Sequence, residues 1–429
     1  MAPMPLRSDT GRPVVYLHIG AMKTGTTYLQ NLVYANRDQL TAAGLVIPGE
    51  TWGRQVRGVQ DVMRLGRRDR HIRRMSEGAW QELLEQALSK PDNVSLISVE
   101  FLSFAGRRKV HSILESLRGA DVRMILTVRD MATSLPSQWQ TLVHNGGTPT
   151  WQEFLTAIPE PTTRPLPFVG RVHPLVAEFH RTQNVARMLA AWTPELAPGA
   201  VHVVTVPRRR ERPDELWQRF AAVIGVDPAV VTQPPEATNP SLGLASTELV
   251  RRLNLRLGRL SQSEYNWTVK EPVALEVLAR RAREEGKALL TRPAYELALR
   301  WNVFTREAVE KYGARVTGGL EDLPTTVDHD LLESMPDIPP SPATPAILDA
   351  AEEAAATFAR HARRRRRKLA RIGVEVELVE RTPGPSLRSA WEAADDPVDA
   401  AAKDLADRAR EDALLLRRIR EERLRGAPV

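Results

Sequence analysis

Short apolar runs rich in Val, Ile and Leu alternate along this chain with stretches of helical periodicity, and that alternation most limits its fold. Val14–Ile19, Leu45–Ile47, Val94–Val99, Val122–Val128 and Val201–Val206 read as strands. Between and after them, Thr26–Ala43, Trp80–Leu88, Lys109–Leu117, Met131–His144, Leu175–Trp192 and Glu215–Ile224 read as helices. In Thr26–Ala43 the apolar Leu29, Leu32, Val33 and Leu40 share one face, and Gly44 supplies the stop. Such alternation predicts an α/β fold, a parallel sheet covered by helices on both faces. Beyond Thr238 no further strand is read. Thr247–Leu257, Val273–Leu290 and Tyr295–Tyr312 are expected to be helices packed on the sheet domain.

Composition sets the class. The apolar share of 42% in 429 residues is enough for a substantial core, and the absence of cysteine excludes disulfides and thiolate metal sites. The opening MAPMPLRSDTGRP lacks the apolar stretch of a signal peptide, and no run has the length of a membrane span, so a cytoplasmic protein is expected. The Pro-rich SMPDIPPSPATP divides the chain. Residues 1–329 are expected to form one α/β domain, with a strand–helix core at 14–226 and a helical part at 238–329. Residues 330–345 then form a linker, and 346–429 a charged helical tail.

The net charge of +7 resides in the body. From Asp330 onward there are 18 Arg and Lys against 19 Asp and Glu. A basic body suits an anionic ligand. The tail's RHARRRRRK, at 360–368, reads either as a solvated helix face or as a nucleic-acid or membrane-surface patch, and the tail's neutrality favours the solvated face. No nucleic-acid partner and no membrane span are expected.

The first strand runs into LHIGAMKTGTTYLQ, residues 17–30. Gly20 and Gly25 let a backbone wrap closely around a ligand. The helix start after them offers unpaired N–H groups and a favourable dipole. Lys23 adds a point charge, and Thr24, Thr26 and Thr27 add hydroxyls. The whole is a cradle for a tetrahedral anion. A plain strand-to-helix turn capped by threonine explains Thr26 or Thr27, but not the lysine between two glycines.

The order K-T-G-T-T departs from the G-x-x-x-x-G-K-[ST] P-loop, because here the lysine precedes the second glycine. It resembles the 5′-phosphosulfate loop of the sulfotransferase family, whose members take sulfuryl groups from 3′-phosphoadenosine 5′-phosphosulfate (PAPS). A second stretch, ILTVRDMATSLPSQW, places Arg129 at a strand end and Ser137 eight residues later in the next helix. Sulfotransferases carry an Arg and a Ser at this spacing. The resemblance implies that the pair grips the donor's 3′-phosphate. A third, LISVEFLS, puts Glu100 after another strand. Gly20–Lys23, Glu100 and Arg129 are thereby expected on the carboxyl edge of a P-loop-type sheet, where ligands bind. In the carbohydrate sulfotransferases, which this bacterial-like sequence resembles more closely, a Glu at this place is the base. In the small-molecule branch it is a His, for which His111 is the nearest candidate.

The resemblance covers residues 14–145 and fades afterwards. TNPSLGLASTELVRRLN, from Thr238, is similar to bacterial members, with Asn239 and Ser241 as candidates to close over the nucleotide. The R-K-G-x-x-G motif of the cytosolic branch is missing, which leaves the adenine contacts open. The implied activity is sulfuryl transfer from PAPS to a hydroxyl or amine of a carbohydrate, glycolipid or small molecule, without a metal. Lys23 and Glu100 are the expected catalytic residues. Gly20, Lys23, Thr24, Gly25, Thr26, Thr27, Arg129 and Ser137 are the expected donor contacts. A free carboxyl titrates at about 4.3 and needs burial or a close partner to act as a base near neutrality. Arg54–Arg74 holds eight Arg against two Asp, which suits either an anionic acceptor or a solvated face. The rival classes are a P-loop-type kinase and a non-catalytic nucleotide-binding module.

Overall fold

The computed structural model describes residues 11–65, 70–162, 174–208, 212, 214–235, 242–286, 290–374 and 385–425. Six strands form one sheet: β1 (Val14–Gly20), β2 (Leu45–Val46), β3 (Val94–Ser98), β4 (Asp121–Val128), β5 (Val201–Thr205) and β6 (Arg315–Thr317). Their order is β2-β3-β1-β4-β5-β6, and every pairing is parallel. β1 is central, and all seven of its residues are buried. That explains a continuous apolar run rather than an alternating one.

Alternate residues of β1 serve two cores, as the two-residue period of a strand requires. Val15, Leu17 and Ile19 pack with Trp80, Leu83, Val110, Ile113, Met188 and Trp192 on one face. Val14 and Tyr16 pack on the other with Leu29, Leu32 and Val33 of helix Thr26–Ala35 and with Trp217, Phe220 and Ile224 of helix Glu215–Ile224. The α/β class with helices on both faces of a parallel sheet is therefore observed.

Four expectations about elements need correction. The helix expected over Val273–Leu290 is broken into the end of a π-helix (Asn266–Leu275), a 3₁₀ turn (Leu278–Arg281) and a short α-helix (Ala282–Glu285). Strands do not stop at Thr238, because β6 pairs with β5 from Arg315 to Thr317. The helix expected over Thr26–Ala43 is two, Thr26–Ala35 and Arg37–Ala42. Asn36 separates them, its side chain accepting the N–H groups of Thr232 and Gln233 at 2.9 and 2.7 Å. The helix expected over Leu175–Trp192 also divides, at Asn184, whose Oδ1 caps the second half by accepting the Arg187 N–H at 2.8 Å.

The chain divides into two compact units. The first holds the sheet and comprises residues up to Leu135, Ala157–Thr238 and Pro293–Leu332. The second comprises Pro136–Thr156, Asn239–Arg292 and Glu333 onward. Within it the long helices Thr344–Ala370 and Pro397–Leu424 pack on each other and on Leu244–Leu257. Their buried faces are small and apolar, Ala350, Ala354 and Phe358 on one and Ala402, Leu405 and Ala409 on the other. In the Arg-rich run, Arg365 lies 2.6 Å from Asp412, and Arg366 pairs with Glu411. Arg363, Arg364 and Arg367 are exposed. Among the described residues no helix is long and apolar enough to cross a membrane.

Candidate anion loop and carboxylate at the sheet's carboxyl edge

The first unit brings the K-T-G-T-T loop, Glu100 and Arg129 to one edge of the sheet. β1 lies between β3 and β4, and all three run the same way. The loop follows β1, Glu100 opens a single turn of 3₁₀ helix just after β3, and Arg129 follows β4.

The loop's backbone is unusual at three positions. Gly20, Lys23 and Gly25 have φ of 92°, 65° and 84°. For Lys23 this left-handed conformation is costly, and surrounding contacts must hold it. Several do. Ala21 N–H donates to the Thr127 carbonyl at 2.8 Å, tying the loop to the end of β4. The buried Gln183 donates to the Met22 carbonyl at 2.9 Å. Arg129 donates from Nη1 to the Lys23 carbonyl at 3.3 Å. Gly25 is the N-cap of helix Thr26–Ala35, and no side chain caps that helix. Its first-turn N–H groups thus point to the loop as an anion cradle.

Beneath the loop lies a directional chain of hydrogen bonds. Thr24 is buried, and its hydroxyl donates to the Ala21 carbonyl at 2.5 Å. With that proton committed, Thr127 donates to Thr24 Oγ1 across 2.6 Å. The Thr127 oxygen, 3.3 Å from His18 Nε2, then accepts. His18 Nδ1, 2.7 Å from Ser98 Oγ, accepts the serine proton. The network therefore assigns His18 as the neutral tautomer protonated on Nε2. Burial agrees, because the fully enclosed ring has its pKa pushed down to about 3. Thr24 thus spends its hydroxyl on the loop, while Thr26 is also buried and Thr27 is partly exposed.

Glu100 is partly exposed and accepts a hydrogen bond from Gln30 Nε2 at 2.9 Å. The same nitrogen donates to the Ser98 carbonyl at 3.1 Å. A Cβ on Gly20 would lie 2.9 Å from the Glu100 Cβ, so this glycine permits the close approach of loop and carboxylate. His111 faces elsewhere. It sits on helix Arg107–Ser116 and pairs at 3.0 Å with Glu195, which precedes the amino end of β5.

Asp130 does not pair with Arg129. It is buried, accepts the Ala132 N–H at 3.0 Å and receives the Asn302 amide at 2.8 Å. Asn302 also accepts the Met131 N–H at 3.0 Å. This clamp fixes the turn that carries Arg129. Ser137 lies further along helix Met131–His144, just after Pro136, on the stretch belonging to the second unit. Asn239 and Ser241 lie outside the described residues, as do Arg67 and Arg68 of the Arg-rich stretch. Arg54 of that stretch pairs with Glu82 at 2.5 Å.

Two cavities have no loop residue in their linings. One of about 370 Å³, past the carboxyl end of β5, balances Arg208, Arg212 and Arg219 against Glu215, Glu321 and Asp322. The other, of about 500 Å³, lies by Asp121 and Val122 at the amino end of β4. The loop's supporting residues Gln30, Gln183, His18 and Asn302 were not singled out by sequence reasoning. Only His18 and Gln30 carry a local signal, since they flank the motif itself. Comparison with family models, with curated proteins and with solved structures finds no match to this chain.

Proposed function

We propose that the chain is a sulfotransferase that moves the sulfuryl group of PAPS to a hydroxyl or amine of a carbohydrate, glycolipid or small-molecule acceptor. The observation that carries this reading is the hydrogen bond of Arg129 to the Lys23 carbonyl, which joins the two family-like motifs at one edge of the sheet.

The residues present suit such a donor. An uncapped helix start, preceded by a loop with three left-handed residues, offers N–H groups for a 5′-phosphate. Lys23, Gly25, Thr26 and Thr27 contribute charge, close backbone approach and hydroxyls. Thr24 holds the loop in shape with its own hydroxyl. Arg129, with its turn clamped by Asp130 and Asn302, is assigned the 3′-phosphate. Ser137's part rests on the sequence spacing alone.

Sulfuryl transfer in line needs positioning and charge stabilisation, by analogy with phosphoryl transfer. Lys23 neutralises charge that grows on the departing phosphate. Glu100 takes the acceptor's proton, and Gln30 holds that carboxylate in place through its amide. His111 is paired with Glu195 and is not given this role.

Calorimetry with 3′,5′-adenosine bisphosphate (PAP) without metal, set against ATP with Mg²⁺, tests the reading. Micromolar PAP binding that exceeds ATP·Mg²⁺ binding supports the sulfotransferase. Preference for ATP·Mg²⁺ would establish a kinase-like site instead.

A further inference from the structure

Among the described residues the carboxyl half of β3 has no strand on its outer side, because β2 pairs only with Val94 and Ser95. Side chains complete that edge. Gln55, buried in helix Trp52–Met63, donates to the Leu96 carbonyl at 3.0 Å and accepts the Ser98 N–H at 2.8 Å. Its amide thus takes the place of a strand's peptide group, which meets the demand that buried backbone groups be paired. One turn earlier, Trp52 donates its indole N–H to the Ser98 carbonyl at 3.3 Å.

That carbonyl is shared. Gln30 Nε2 donates to it at 3.1 Å and to Glu100 at 2.9 Å. The Trp52 indole is therefore tied to the Glu100 carboxylate through one carbonyl and one amide. Trp52 is also 39% exposed. An edge cap alone does not need a large aromatic with so much surface, and burial of such a ring is normally favourable. Its hydrogen bond holds the ring in one orientation beside the proposed base.

We propose that Trp52 is the acceptor platform, and that the acceptor is a pyranose. One apolar C–H face of the sugar ring stacks on the indole, and a ring hydroxyl is presented to Glu100. This rests on the sulfotransferase reading above. A sugar matches the chemistry present, a flat apolar surface tied through the buried Gln30 amide to a partly exposed carboxylate. An alkyl alcohol has no flat face to use the indole. In the transfer the sugar O–H bond breaks, its proton goes to Glu100, and the oxygen's electron pair forms the new O–S bond. The bond from sulfur to the phosphate oxygen breaks, and its pair leaves on PAP.

The test uses the full chain, with Trp52→Ala and Trp52→Phe as variants. Saturation-transfer NMR with methyl glucopyranoside, methyl galactopyranoside and methyl N-acetylglucosaminide reads sugar binding directly. Transfer from PAPS to the same glycosides, to p-nitrophenol and to n-octanol reads use, and PAP calorimetry runs in parallel. The expected result is binding of at least one glycoside by wild type and Trp52→Phe, lost in Trp52→Ala. The acceptor KM should rise about ten-fold in Trp52→Ala, with kcat and PAP affinity within about three-fold. If Trp52→Phe falls as far as Trp52→Ala, only the N–H matters and the residue is an edge cap. The proposal is also overturned if wild type binds no glycoside, or if p-nitrophenol or n-octanol outperforms every glycoside irrespective of residue 52. Glycoside binding at Trp52 without PAP binding would keep the platform and remove the donor reading.

Discussion

The Arg129 guanidinium reaches back across the edge of the sheet and donates to the Lys23 carbonyl at 3.3 Å. Two residues 106 apart in sequence are thereby held together at the carboxyl ends of β1 and β4. The contact braces a strained loop, and the proposed function gives Arg129 a second task, meeting an anion. Arg129→Ala separates them. Loss of a charged hydrogen-bond donor should weaken PAP binding by about 10- to 100-fold. Adenosine 5′-phosphosulfate lacks the 3′-phosphate and should lose much less. Calorimetry with both ligands decides. Equal losses would show that Arg129 serves the loop alone.

Gly20 carries a different constraint. Its φ is 92°, and a Cβ there would stand 2.9 Å from the Glu100 Cβ. Gly20→Ala should cost about 1–3 kcal/mol of stability and shift Glu100 away from the loop. Gly78 is a suitable control, because it also has positive φ, 79°, but nothing lies within 4 Å of its would-be Cβ. Chemical denaturation of both variants should show the larger loss at Gly20, and only Gly20→Ala should lower turnover. A matching loss at Gly78 would mean that backbone strain, not the approach of Glu100, sets the cost.

Much of this edge was legible in the residues. β1 and β3 are buried throughout and β4 over its carboxyl half, so their apolar runs stand out, and the residues just after them form the candidate site. β6 was missed because Arg315 and Val316 are exposed and the strand is three residues long at a sheet edge. The amide contacts of Gln30, Gln55 and Gln183 join residues far apart in sequence, and a polar side chain on a helix carries no mark of its distant partner. The Pro-rich stretch before Pro345 suggested separation of the tail. The packing of the tail's two helices on Leu244–Leu257 depends on small residues such as Ala350 and Ala402, whose pattern is faint in so alanine-rich a sequence.

Glu100 and His111 are distinguished by where they sit. Glu100 meets Gln30 just past β3, whereas His111 pairs with Glu195. Glu100→Gln should leave PAP affinity nearly intact while turnover falls by roughly 10²–10⁴, the worth of a general base. His111→Ala removes an exposed side-chain contact to Glu195 and should change turnover by less than about three-fold. The assay is transfer of labelled sulfate from PAPS into a mixed pool of glycosides. Near-normal turnover in Glu100→Gln together with collapse in His111→Ala would reassign the base.

His18 makes the loop's support sensitive to acid. In the fold the ring is enclosed between Ser98 and Thr127, and burial holds its pKa at about 3. In the unfolded chain the same ring titrates near 6.5. Below about pH 6.5 the unfolded state therefore binds a proton that the folded state refuses. The contribution is fully present above that pH and is lost progressively as pH falls toward 3. Its slope is at most about 1.4 kcal/mol per pH unit. Protonation at Nδ1 would also remove the acceptor that Ser98 uses, while the Nε2–H would still donate to Thr127. His18→Gln cannot titrate, yet its amide can still donate to Thr127. Urea denaturation at pH 7, 6, 5 and 4.5 should show wild type losing stability more steeply than the variant, by about that slope. The variant should be the less stable protein at pH 7, and the gap should narrow on acidification. Parallel stability curves for the two proteins would mean that His18 is not held neutral beneath the loop.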